Sequence, residues 1–103
     1  MKMFAIKDER KELYFQIEKS KKSLDLIDNL ACELFEEEGY RFENRWQSGI
    51  PDKEDYFGYE NKGIYFGVVI SEKRIHLIIK GIKEIKKKEI KKTVTKDCKL
   101  NTN

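Results

Sequence analysis

The chain holds one proline, one histidine and two cysteines in 103 residues, and each scarcity removes a class of explanation. A single histidine, His76, with no Cys-x-x-Cys pair is a poor ligand set for a zinc site. Two cysteines, Cys32 and Cys98, are too few for a disulfide framework and fit a reducing compartment. Cys32 is expected as a small buried hydrophobe. No apolar run between Met1 and Arg10 has the length of a signal peptide. The longest apolar stretch, Ile64 to Ile70, falls far below the roughly 20 residues needed to span a bilayer. The expectation is therefore a soluble cytoplasmic chain without membrane, metal or cofactor.

What the chain has in quantity is charge. Charged residues make up 40% and the hydrophobic set 39%, and the apolar residues cluster periodically, which separates the chain from disordered sequences. The net charge of +3 is unevenly spread. Residues 1–39 carry 7 basic and 10 acidic side chains, residues 40–70 carry 4 and 5, and residues 71–103 carry 11 and 4. Such a gradient can steer a partner in solution.

The spacing of Leu13, Ile17, Leu24, Ile27, Ala31 and Leu34 predicts a helix from Asp8 to Glu38, with Asp8 as N-cap and Gly39 just past the end. That helix would be about 46 Å long at 1.5 Å per residue. This is long for one small domain, so the expectation is a break near Ser20–Ser23, or pairing with a second copy as a homodimer. The alternative for its first half is a hairpin. Leu13, Phe15 and Ile17 alternate, and Met3 to Ile6 could pair with them. The intervening KDERKE holds no Gly, Asn or Pro to mark the turn, and the helix is preferred for that reason.

The middle of the chain reads as β. Tyr40, Phe42, Asn44 and Trp46 alternate with Arg41, Glu43, Arg45 and Gln47. Residues 48–52 form a loop. Asp55 to Glu60 is a second strand, Asn61-Lys62-Gly63 a tight turn, and Ile64 to Ile70 and Arg74 to Lys80 two further strands. Short connections require antiparallel pairing. The predicted fold is α+β: a long N-terminal helix or helical hairpin, a four-stranded antiparallel meander, and a basic helix from Ile82 to Val94. One domain over residues 1–96 is expected, with a disordered tail over 97–103.

Three sets of residues could carry function. Pro51-Asp52 followed by Glu60-Asn61-Lys62 resembles the PD-(D/E)xK signature of metal-dependent nucleases. The resemblance implies that Asp52 and Glu60 hold a divalent ion and Lys62 orients water, with Glu37 or Glu38 as the preceding helical acid. The gap between the acids is short for that family, Glu60 falls at a turn, and the αβ unit that follows the motif is reduced to one helix. Solvated loop charges explain the same residues.

The second set is Lys83, Lys86, Lys87, Lys88, Lys91 and Lys92, which could track phosphates. The competing explanation is a solvated helix face with Glu84 and Glu89 interleaved for support along the helix. The third set is aromatic: Trp46, Tyr56 and Tyr59, with Arg41 and Arg45 on the same strand as Trp46. Tyr56 and Phe57 must point oppositely, as must Tyr65 and Phe66, so one helical layer leaves aromatic surface on the other side. His76 has no partner placed by sequence and is expected on the strand surface. The leading expectation is a small non-enzymatic protein that binds and inhibits a macromolecular partner, of the type of phage anti-defence inhibitors or toxin-immunity proteins. The second is a nucleic-acid-binding module and the third a small nuclease.

Overall fold

The computed structural model describes residues 1–36 and 55–100, the side chains of 99 and 100 apart. The chain opens with two strands, not a helix: β1 is Lys2–Glu9 and β2 is Glu12–Glu18. They pair antiparallel around Arg10–Lys11, with Glu9 opposite Glu12. This corrects the helix expected from Asp8. Leu13, Phe15 and Ile17 are all buried, so alternation wins over the 3.6-residue spacing. A strand can bury three such side chains on one face and add a full ladder of backbone hydrogen bonds. The alternative hairpin is the observed one. With Leu13 and Ile17 in a strand, the long helical stripe that motivated a homodimer is divided between two elements.

The tertiary structure supplies what the hairpin's turn lacks. Among the described non-glycine residues only Glu36 and Lys62 have positive φ, so Arg10–Lys11 is not the mirror-image turn that suits two-residue hairpins. Lys87, from the C-terminal helix, is 1% exposed. Its Nζ donates to the carbonyls of Glu9 and Arg10, the latter at 3.1 Å, and to Asp8 Oδ1 at 3.2 Å. A buried ammonium thus satisfies turn carbonyls and a carboxylate together.

Helix α1 spans Lys21–Phe35, about 22 Å at 1.5 Å per residue. Ser20 is its N-cap and Ser23 closes a capping box: Ser23 N donates to Ser20 Oγ at 3.1 Å, and Ser20 N to Ser23 Oγ at 2.8 Å. Two serines bonding backbone N–H groups in this way fix the start of the helix locally. It ends at Glu36 in the left-handed region, three residues before the expected Gly39.

Strands β3 (Asp55–Asn61), β4 (Ile64–Ile70) and β5 (Arg74–Lys80) form an antiparallel meander, as the short connections predict. The expected strand over 40–47 lies outside the described residues. Lys62 (φ 53) and Gly63 (φ 80) make the β3–β4 turn. Gly81 (φ 82) follows β5 and packs on that turn: a Cβ there would sit 2.1 Å from the Gly63 carbonyl oxygen. Helix α2 is Glu84–Asp97, and β6 is Lys99–Leu100, parallel to the start of β1. Where a disordered tail from residue 97 is expected, Cys98 is buried, its thiol pushed up by that burial, and the chain joins the sheet.

The sheet order is β3-β4-β5-β2-β1-β6. The fold is therefore α+β with an antiparallel core sheet, but the hairpin precedes the first helix and inserts β2 next to β5. Cross-strand partners share a face. Leu13, Ile79 and Phe66 form one such row, and Ile17, Ile75 and Ile70 another. Helix α1 packs on this face through Phe35, whose ring centroid is 6.2 Å from that of Phe66. Helix α2 reaches the same face through Asp8, the partner of Leu13. Both helices lie on one side of the sheet.

Candidate functional site

Among the described residues no element lies over the other face. Its rows run across five strands. Tyr56, Val69, His76, Gln16 and Ala5 form one row, and Gly58, Gly67, Ile78, Tyr14 and Lys7 the next. Glu60, Tyr65, Lys80, Glu12 and Glu9 form a third. The register shift between Met3 and Ala5 adds Phe4 to the same face, where the Arg74 guanidinium stacks on its ring at 4.1 Å.

Two glycines shape one half of this face. Gly58 and Gly67 are cross-strand partners, so there is no side chain between the tyrosines on either side. A Cβ at Gly67 would lie 2.8 Å from the Tyr65 ring, and one at Gly58 would lie 2.8 Å from Tyr56 Oη. The rings occupy that space and their hydroxyls meet each other. Tyr56 is 54% exposed. Lys80 Nζ lies 5.7 Å from the Tyr65 ring centroid and Lys7 Nζ lies 5.6 Å from that of Tyr14. Three aromatic rings on this face thus carry a cation, a contact worth about 0.5–1 kcal/mol where exposed.

The other half is a polar network. Tyr14 Oη is 2.7 Å from His76 Nδ1. Gln16 Nε2 donates to Tyr14 Oη at 3.0 Å and lies 3.4 Å from His76 Nδ1. Gln16 Oε1 accepts from Arg74. Burial holds the His76 imidazole below its ordinary value of 6.5, and the positive charge of Arg74 pushes in the same direction. Both effects favour the neutral imidazole, and His76 sits in a built network, not as the isolated surface residue expected from the sequence.

The expected site residues scatter. Arg41, Arg45, Trp46 and Asp52 lie outside the described residues. Tyr56 is on the open face. Tyr59 is on the covered face, edge-to-face with Phe35 at 4.7 Å between ring centroids. Glu60 belongs to the open-face row beside Tyr65, while Lys62 is a turn residue. No group of three or more potential metal ligands gathers among the described residues.

The lysine set divides as well. Lys87 is buried in the brace described above, and Lys91 Nζ binds Asp8 Oδ2. These two ammonium groups hold the Asp8 carboxyl below its ordinary value, Lys91 contributing most. Lys86 pairs with Glu89 at 3.4 Å. Lys83, Lys88 and Lys92 are exposed, on the helix layer and so on the opposite side from the aromatic face. No helix among the described residues is long and apolar enough to cross a membrane.

Sequence reasoning missed Tyr14, Gln16, Arg74 and Phe4 as members of one surface. Tyr14 and Gln16 fall in the segment whose spacing also fits a helix, and their partners in β5 are 58–62 positions away. The alternation of Arg74, His76 and Ile78 was the available signal. No known protein family, curated protein or solved structure matches the chain.

Proposed function

We propose that the chain is a non-enzymatic binding protein that occupies and thereby inhibits a protein partner, and that the open sheet face is its contact surface. The observation that carries this reading is the Tyr56–Tyr65–Val69–Ile78–Tyr14 aromatic and aliphatic strip, flanked by Lys7, Arg74 and Lys80 and by Glu9, Glu12, Glu18 and Glu60. An apolar centre with a mixed-charge rim is the anatomy of protein interfaces, where Tyr and Arg supply most anchors. Five strands at about 4.8 Å spacing and seven residues at about 3.3 Å rise span on the order of 500 Å² in projection. That area suits the flat side of a globular partner better than a single extended peptide.

The mixed charge argues against a bare phosphate backbone as the ligand, since four carboxylates would oppose it. Lys83, Lys88 and Lys92 lie on the helix side of the sheet, opposite the aromatic strip, and cannot join it around one strand of nucleic acid. Their long-range effect is on the association rate.

The experiment is capture from a host lysate with and without nuclease. It compares the parent chain with Tyr56→Ala and with a combined Lys83/Lys88/Lys92→Ala variant, each first shown to fold. The proposal expects nuclease-resistant capture of a protein that Tyr56→Ala weakens at least 30-fold, about 2 kcal/mol. Capture that nuclease abolishes, or that only the lysine variant loses, would replace it with the nucleic-acid reading.

A further inference from the structure

The direction of the hydrogen bonds around His76 follows from donor and acceptor chemistry. Arg74 has only donors, so the Gln16 atom it meets is the oxygen. That fixes the Gln16 amide, whose nitrogen then faces Tyr14 Oη and His76 Nδ1. An Nδ1–H would point at this N–H donor 3.4 Å away. The arrangement free of donor–donor opposition has Nδ1 unprotonated and accepting from the Tyr14 hydroxyl at 2.7 Å. The imidazole proton then sits on Nε2, which meets no hydrogen-bond partner among the described residues.

We propose that Arg74, Gln16, Tyr14 and His76 form a proton-sensitive recognition element on the open face, which presents the Nε2–H of neutral His76 as a fixed donor to a carbonyl or carboxylate of the partner and reverses when His76 is protonated. On protonation Nδ1 gains the proton, the Tyr14 hydroxyl turns from donor to acceptor, and its own proton swings away. The imidazolium also brings a second positive charge beside Arg74. The groups that face His76 are few. Arg74 is on its own strand, Glu18 lies opposite Arg74 on β2, and Lys7 of β1 reaches the Tyr14 ring. Strands β4 and β3 contribute Val69 and Tyr56 to its row, neither an acidic nor a basic side chain. Burial and Arg74 both favour the neutral form, so the reversal belongs to mildly acidic conditions.

This inference rests on the open face as the contact surface, yet its test needs no partner. The chain has one histidine, so long-range proton–nitrogen correlation spectra report on it without assignment. At pH 8 the spectrum should show Nε2 protonated and Nδ1 not. As the pH falls, the Tyr14 ring Cζ resonance should shift with the same midpoint as the imidazole, below 6.5. Gln16→Leu removes the N–H that opposes Nδ1–H, and its midpoint should rise. An Nδ1–H tautomer in the parent chain, a Tyr14 Cζ that ignores the titration, or a Gln16→Leu midpoint equal to the parent's would each overturn the element. Those outcomes leave capture of a partner untouched, and loss of capture leaves these spectra untouched, so the two failures are distinguishable.

Discussion

Lys62–Gly63 and Arg10–Lys11 each reverse the chain in two residues, by different means. At Lys62–Gly63 the reversal is local: both residues take positive φ, and the glycine does so at little steric cost. At Arg10–Lys11 neither residue does, and the turn carbonyls are held by the buried Lys87 Nζ from 77–78 positions away. A turn can thus be specified by its own backbone preferences or by a donor delivered from another element. The second kind ties the hairpin to the docking of α2, so the two should fold as one cooperative unit.

The largest expected effect breaks the second kind. Lys87→Ala leaves the carbonyls of Glu9 and Arg10 and the Asp8 carboxylate without their buried donor, and should cost about 3 kcal/mol in urea unfolding. If the brace replaces a turn signal, adding Arg10→Asn and Lys11→Gly to that variant should recover part of the loss. No recovery would mean that Lys87 acts only through the α2 contact.

At the first kind of turn, Gly81→Ala forces a side chain against the Gly63 carbonyl at a positive φ, for a loss of about 3 kcal/mol. Gly63→Ala has the same backbone conflict with open space around the new methyl group, and should cost only about 1 kcal/mol. In thermal melts each kcal/mol corresponds to roughly 4–8 °C for a domain of this size. Equal losses for the two glycines would show that strain, not contact, governs both.

The smallest effect is the pH dependence of the brace. Lys91 first and Lys87 second lower the Asp8 carboxyl below 3.8 in the folded protein. Its contribution is therefore present above 3.8 and is lost as pH falls through the lower folded value. Asp8→Asn should flatten the acid limb of the stability curve relative to the parent and leave the neutral and alkaline limbs parallel. An unchanged acid limb would remove Asp8 from the brace.

The sequence by itself determined what depends on near neighbours in the chain. Short strand-like runs joined by brief connections identified β3, β4 and β5, and Asn61-Lys62-Gly63 marked its turn through the freedom of glycine. A break near Ser20–Ser23 was legible from the two serines, although what precedes it is a strand and the N-cap is Ser20. The opposed faces of Tyr56 and Phe57 followed from strand geometry alone. Residues 8–18, whose spacing satisfies both a helix and a strand, were settled by packing. The choice rests on β5, where Ile75, Leu77 and Ile79 complete a buried layer with Ile17, Phe15 and Leu13, and on a lysine that reads as solvated until α2 docks it over the turn. The open-face network was hidden for the same reason: Tyr14 and Gln16 meet Arg74 and His76 only once β2 lies beside β5. Hydrogen bonds across a sheet join residues by register, which the order of the chain does not reveal.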